Sequence, residues 1–81
     1  MTTPYRIVEE YVFYKEGLSP VVHGRVTVSY GAPQEEWTWE TNYVDKSHRM
    51  THVHSVEQAR VALFNYVNNL NVEECVAAEY Y

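Results

Sequence analysis

Apolar positions along this chain recur at two different periods, and the changes from one to the other mark its elements. Over His54–Asn71 the period is helical. Val56, Ala59, Leu63, Tyr66, Val67 and Leu70 fall on one face at about 100° per residue. Ser55 with Gln58 three residues on has capping-box spacing, which satisfies two backbone donors at a helix start. Asn68, Asn69 and Asn71 supply the residue type that tolerates a left-handed conformation where a helix stops. The pattern predicts a helix over Val56–Asn69. It is the one helical pattern in the chain, so this helix must cover whatever sheet the rest builds.

Elsewhere the signal is that of strands. Tyr5–Tyr14 is rich in aromatic and β-branched residues, but Ile7-Val8 and Tyr11–Tyr14 break the alternation. Either a bulge at Glu9-Glu10 switches the apolar side, or both faces are buried. Lys15–Pro20 is a connection in which Gly17 is free to take a positive φ. Val21–Tyr30 alternates cleanly, with Val22, Gly24, Val26, Val28 and Tyr30 on one side and His23, Arg25, Thr27 and Ser29 on the other. Gly24 inside a strand marks a bend or the close approach of a bulky neighbour. After a turn at Gly31–Gln34, the stretch Glu35–Val44 carries the clearest period of two. Trp37, Trp39, Thr41 and Tyr43 face one way; Glu36, Thr38, Glu40 and Asn42 face the other. Asp45–Arg49 reads as a polar turn, Met50–Val53 as a short fourth strand, and Val72–Tyr81 as a final strand.

The order β-β-β-(β)-α-β predicts an α+β fold: an antiparallel sheet of three to five strands with one amphipathic helix packed on one face. If the last strand lies parallel to the one before the helix, the crossover is right-handed. Residues 1–81 hold one domain, with no room for a second, no internal repeat and no linker.

Composition narrows the classes of function. The chain is 46% hydrophobic and 15% aromatic, too apolar to be disordered. Eight Tyr and two Trp suit both a thin core and an interaction surface, the core being the simpler use. Net charge is −5, and six scattered Lys/Arg form no basic patch, which argues against binding by phosphate neutralisation. Cys75 is the single cysteine, so no intramolecular disulfide forms; its acidic neighbours Glu73 and Glu74 favour a packing role over a reactive thiolate. Met1–Pro4 has no apolar leader and no run reaches membrane-spanning length, so the expected compartment is the cytoplasm, with no membrane contact.

Candidate chemistry is sparse. His48, His52 and His54 lie close together, and His52 and His54 share a face if extended, but no Cys or carboxylate at standard spacing completes a metal shell. Ser55 is accounted for by capping, and there is neither a nucleophile-elbow nor a phosphate-loop glycine pattern. The expectation is a protein without catalytic residues, metal or cofactor. Trp37, Trp39 and Tyr43 offer rings on which bases can stack, but such platforms come with cationic grooves, and the neighbours here are Glu35, Glu36 and Glu40. Three strands then a helix is also the order in part of a double-stranded-RNA-binding domain, but only Arg60 stands where that family has a lysine cluster. Direct nucleic-acid binding is therefore not expected.

Two candidate partner-binding surfaces are left. One is the carboxylate-rich side of the third strand with its turn, Glu35, Glu36 and Glu40, beside His23, Arg25 and Thr27. The other is Val61 and Phe64, on a flank of the helix about 100° or more from the centre of its packing face, where an apolar pair is either widened core contact, the commoner case, or an exposed anchor. Short, acidic, aromatic-rich and lacking a catalytic motif, the chain is similar in general character to inhibitors that phages encode against host defence or transcription proteins, anti-CRISPR proteins among them. That likeness is one of class, carried by no motif. It implies a non-enzymatic module that binds a host protein with a basic surface, such as one that itself binds nucleic acid. The competing classes are a nucleic-acid-binding accessory protein, to be told apart by salt-dependent retention on nucleic acid, and a His-dependent metal protein, to be told apart by metal-dependent thermal stabilisation.

Overall fold

The stretch with the cleanest alternation becomes the middle strand. In the computed structural model, which describes residues 3–17, 21–45, 52–78 and 81, β2 (Val22–Ser29) lies between β1 (Tyr5–Phe13) and β3 (Trp37–Thr41), antiparallel to both. The helix α1 (Val56–Asn68) packs across β2 and β3. Two short strands, β4 (Tyr43–Val44) and β5 (Val76–Ala77), form a second antiparallel sheet. The protein is thus a small α+β fold with its helix on one face.

The core lies where the two periodicities meet. Val22, Val26 and Val28 from β2, Trp39 and Tyr43, and Ala59, Leu63, Tyr66, Val67 and Leu70 are all buried. Leu63 sits directly over Gly24: a Cβ at that glycine would lie 2.7 Å from Leu63 Cδ1 and 3.1 Å from both Leu63 Cδ2 and Phe13 Cε2. The glycine leaves the room that the leucine side chain of the helix occupies, the close approach of a bulky neighbour that a glycine inside a strand allows. Tyr66 reaches past the core to the polar end, its hydroxyl donating to Tyr43 O at 2.9 Å and accepting from Asp45 N at 2.7 Å.

The helix starts as its sequence predicts. Ser55 is extended and its Oγ accepts from Gln58 N at 3.1 Å. The Gln58 side chain reaches one residue further back than a capping box requires, accepting from His54 N at 2.8 Å. Its end differs from expectation. No described residue other than glycine has a positive φ; Asn69 instead donates both its backbone N–H and its side-chain amide to Asn65 O, at 3.0 and 2.8 Å.

Further departures have local causes. The irregularity in β1 falls between Ile7 and Glu9, earlier than Glu9-Glu10, leaving Val8 without a cross-strand partner. It turns Glu9, Tyr11 and Phe13 towards the helix and Glu10 and Val12 away from it. Tyr30, expected on the core side, lies beyond the strand end and is exposed, next to Gly31 at φ 81°. The expected strand Glu35–Val44 breaks at Asn42. There the side chain accepts from His23 N at 2.7 Å and donates to Val21 O at 3.2 Å, while the carbonyl accepts from Ala78 N at 2.8 Å. Asn42 closes the pairing with β2 and opens the pairing with β5. The final strand is confined to Val76–Ala77 because Asn71 organises a turn before it: its carbonyl accepts from Glu74 N and Cys75 N, and its side chain from Glu73 N. Cys75 is half-buried against the core, ahead of β5 and not within it. As β5 runs antiparallel to β4, the parallel crossover does not arise. Of the proposed fourth strand, Val53 forms an antiparallel bridge to Trp37, whereas Met50 and Thr51 lie outside the described residues, as do residues 46–49 of the polar turn.

Candidate functional site

Antiparallel pairing places the side chains of paired residues on the same face, so the register alone defines the face turned away from the helix. It carries Tyr5, Ile7, Glu10 and Val12 from β1, their partners Ser29, Thr27, Arg25 and His23 from β2, and Thr38 and Glu40 from β3. Glu36, one residue before β3, joins this face. Tyr5 donates its hydroxyl to Glu36 Oε2 at 2.7 Å, and Glu36 N donates to Ser29 Oγ at 2.9 Å.

Charge is arranged around one arginine. Glu10, Arg25 and Glu40 form a row across the three strands, with Arg25 Nε 2.7 Å from Glu40 Oε1. The Tyr81 ring lies over the guanidinium, 4.4 Å from its centre, in a cation–π contact. The hydrogen bond to Glu40 holds Arg25 more firmly protonated than usual, and burial raises the Tyr81 phenol above its ordinary range. The Tyr5 phenol is raised as well, chiefly by its bond to Glu36.

The structure separates part of what the sequence grouped. Glu36 and Glu40 share the outer face, but four residues of strand put them about 13 Å apart at about 3.3 Å per residue. Glu35 is exposed in the connection before β3. The sequence reading missed Glu10, whose side depends on where the β1 register shifts. It also missed Tyr81, which no local pattern assigns to this face.

The helix flank resolves into two different environments. Phe64 packs edge-on between Tyr11 and Phe13, ring centroids 5.0 and 5.6 Å away, and is half-buried against the core. Val61 is 57% exposed and borders an open groove with His52, Val53, Glu57 and Asn65. On the covered side, Arg60 forks onto Glu9, with Nε 2.8 Å from Oε1 and the second nitrogen on Oε2; Tyr11 donates to the same carboxylate at 2.9 Å. Arg60 is the main reason the Glu9 carboxyl titrates below the usual range.

Among the described residues, no three His, Cys, Asp or Glu side chains come together in a metal-binding arrangement. His48 lies outside the described residues, so the three-histidine grouping is not on view. No described helix is long and apolar enough to cross a membrane. No protein-family model, curated protein or solved structure matches the chain.

Proposed function

We propose that this protein is a non-enzymatic binding module that docks a partner with a basic surface on the outer face of its three-stranded sheet. The observation that carries the reading is the composition of that face. Glu10 and Glu40 flank a single Arg25, Glu36 lies further along the same face beside Tyr5, and exposed Tyr5, Ile7 and Val12 lie among them. Carboxylates supply long-range attraction and speed encounter, and the apolar and aromatic side chains supply area to bury on contact. The bonds to Arg25 and Tyr5 hold Glu40 and Glu36 in place without exhausting them, since a carboxylate has about four acceptor positions.

A face of this kind suits a protein whose Lys/Arg normally grip nucleic acid. In that role the module is an inhibitor working in the cytoplasm, of the class phages direct against host defence or transcription proteins. The test is capture of partners from bacterial lysate with the intact chain, followed by binding measurements on the partner identified. Glu36→Lys with Glu40→Lys is expected to abolish binding while the circular dichroism spectrum is unchanged. Undiminished binding by that variant overturns the outer face as the site and moves it to Val61 and its groove.

A further inference from the structure

Among the described residues, the sheet ends on one side in a long open edge. β1 spans nine residues, and among the described residues it pairs with β2 alone. Its edge is apolar: Tyr5, Ile7, Val8 and Val12 are 45, 48, 39 and 50% exposed. The backbone groups that face outward can be worked out from the other side of β2. Ser29 N donates to Glu36 O at 3.1 Å, and His23 O accepts from Asn42 N at 3.1 Å, so both residues direct their backbone groups towards β3. Their β1 partners, Tyr5 and Val12, therefore direct N–H and C=O to the open edge. Ile7 and Glu10, opposite Thr27 and Arg25, have the same alternation and do likewise.

We infer that this edge pairs antiparallel with β1 of a second copy of the chain, joining two three-stranded sheets into one. A strand bearing a bulge is a poor partner for a regular strand, because the faces fall out of phase on one side of the bulge. It is in phase with itself about a two-fold axis. With the axis between Val8 and Glu9, Tyr5 comes opposite Val12 of the second copy, Ile7 opposite its Glu10, and Arg6 opposite its Tyr11. Each of these pairs joins residues of like face, on both sides of the irregularity. The charges agree with this register. Arg6 becomes the diagonal neighbour of the second copy's Glu9, about 7–8 Å away between backbones and within reach of a guanidinium. The two Glu9 carboxylates near the axis are each already held by their own Arg60. The pairing does not depend on the proposed basic partner; it would set two outer faces side by side, with Glu10 of each copy at the join.

The test is sedimentation of the intact chain from micromolar to millimolar concentration, with two double variants that distinguish register from mere loss of apolar area. Wild type is expected to move from one to two chain masses as concentration rises. Tyr5→Lys with Val12→Lys puts lysine opposite lysine at both ends and is expected to stay at one chain mass throughout. Tyr5→Lys with Val12→Glu puts lysine opposite glutamate and is expected to regain the doubled mass. Wild type at one mass throughout, or the two variants behaving alike, overturns the proposal. Should a variant fail to fold by circular dichroism, amide exchange on wild type decides. Protection at Tyr5, Ile7, Glu10 and Val12 that rises with concentration supports the edge pairing, and protection independent of concentration overturns it.

Discussion

Gly24 and Leu63 are tied by geometry closely enough that their substitutions should not add. Leu63 is fully buried, and replacing it with alanine removes three carbons from the centre of the core. Such a deletion costs about 2–5 kcal/mol, a large part of the total stability of a small domain. Gly24→Ala does the reverse, pressing a methyl to 2.7 Å from Leu63 Cδ1 with Phe13 Cε2 at 3.1 Å on the other side. Overpacking of this kind costs about 1–3 kcal/mol. The stiffer unfolded chain returns about 0.4–1 kcal/mol, so the single variant is still destabilised. In the Leu63→Ala background both leucine methyls are gone, while the Phe13 contact persists. There the new methyl fills part of the cavity, and Gly24→Ala should be neutral or stabilising. A coupling of about 1–3 kcal/mol is expected, within the range of residues in direct contact. The assay is urea unfolding of wild type, both single variants and the double, with m-values compared to confirm that midpoint shifts report stability. Equal costs for Gly24→Ala in the two backgrounds would refute the seating of the helix over this glycine.

Other outcomes follow from the same contacts. Tyr66→Phe removes the donor to Tyr43 O and the acceptor for Asp45 N, and should cost about 1–3 kcal/mol in urea unfolding, as loss of a buried hydrogen-bonding partner does. Glu9 is held below its ordinary pKa, mainly by Arg60, so its stabilising effect is complete above the ordinary carboxylate range and fades as pH falls through the lowered value. The melting-temperature gap between wild type and Glu9→Gln should therefore narrow from neutral pH down to about pH 3, and a constant gap would contradict the pairing. Glu36→Lys with Glu40→Lys, and the Tyr5/Val12 variants, test the outer face and the open edge in the ways already given.

What could be read in advance depended on whether a residue's position is fixed by its neighbours in sequence. The helix, its Ser55 cap and its buried face rest on contacts three and four residues apart, and β2 and the β2–β3 hairpin on alternation either side of one turn. Those positions matched, except Tyr30, which the alternation placed on the core side and which lies exposed beyond the end of β2. The failures at the ends of elements involve a polar side chain replacing a backbone partner. The Asn42 side chain takes over from its carbonyl as the acceptor for His23 N, Asn71 gathers the donors of Glu73, Glu74 and Cys75, and Asn69 caps through its amide. An asparagine in sequence does not show which distant carbonyl it will meet. The burial of Thr27 and Ser29 on the outer face also depends on distant neighbours: these short side chains on the central strand stand beside longer ones from β1, Ile7 at Thr27 and Tyr5 at Ser29.

The candidate site was less legible than the core because nothing local selects between its possible arrangements. Alternation correctly sent Glu36 and Glu40 away from the tryptophans, since burying Trp39 against the helix outweighs any preference of a surface glutamate. Whether those carboxylates form a patch, however, depends on what stands beside them across β2. Arg25 falls next to Glu40, and Glu10 joins from β1 because one unpaired residue, Val8, changes the phase of that strand. Move the irregularity two residues on and Glu9, not Glu10, would face outward, leaving Arg60 without its forked partner. The bulge therefore sets three things at once: the ion pair beneath the helix, the charge of the open face, and the register in which the β1 edge is complementary to itself. Its position is the feature on which the proposed binding face and the proposed self-pairing both turn.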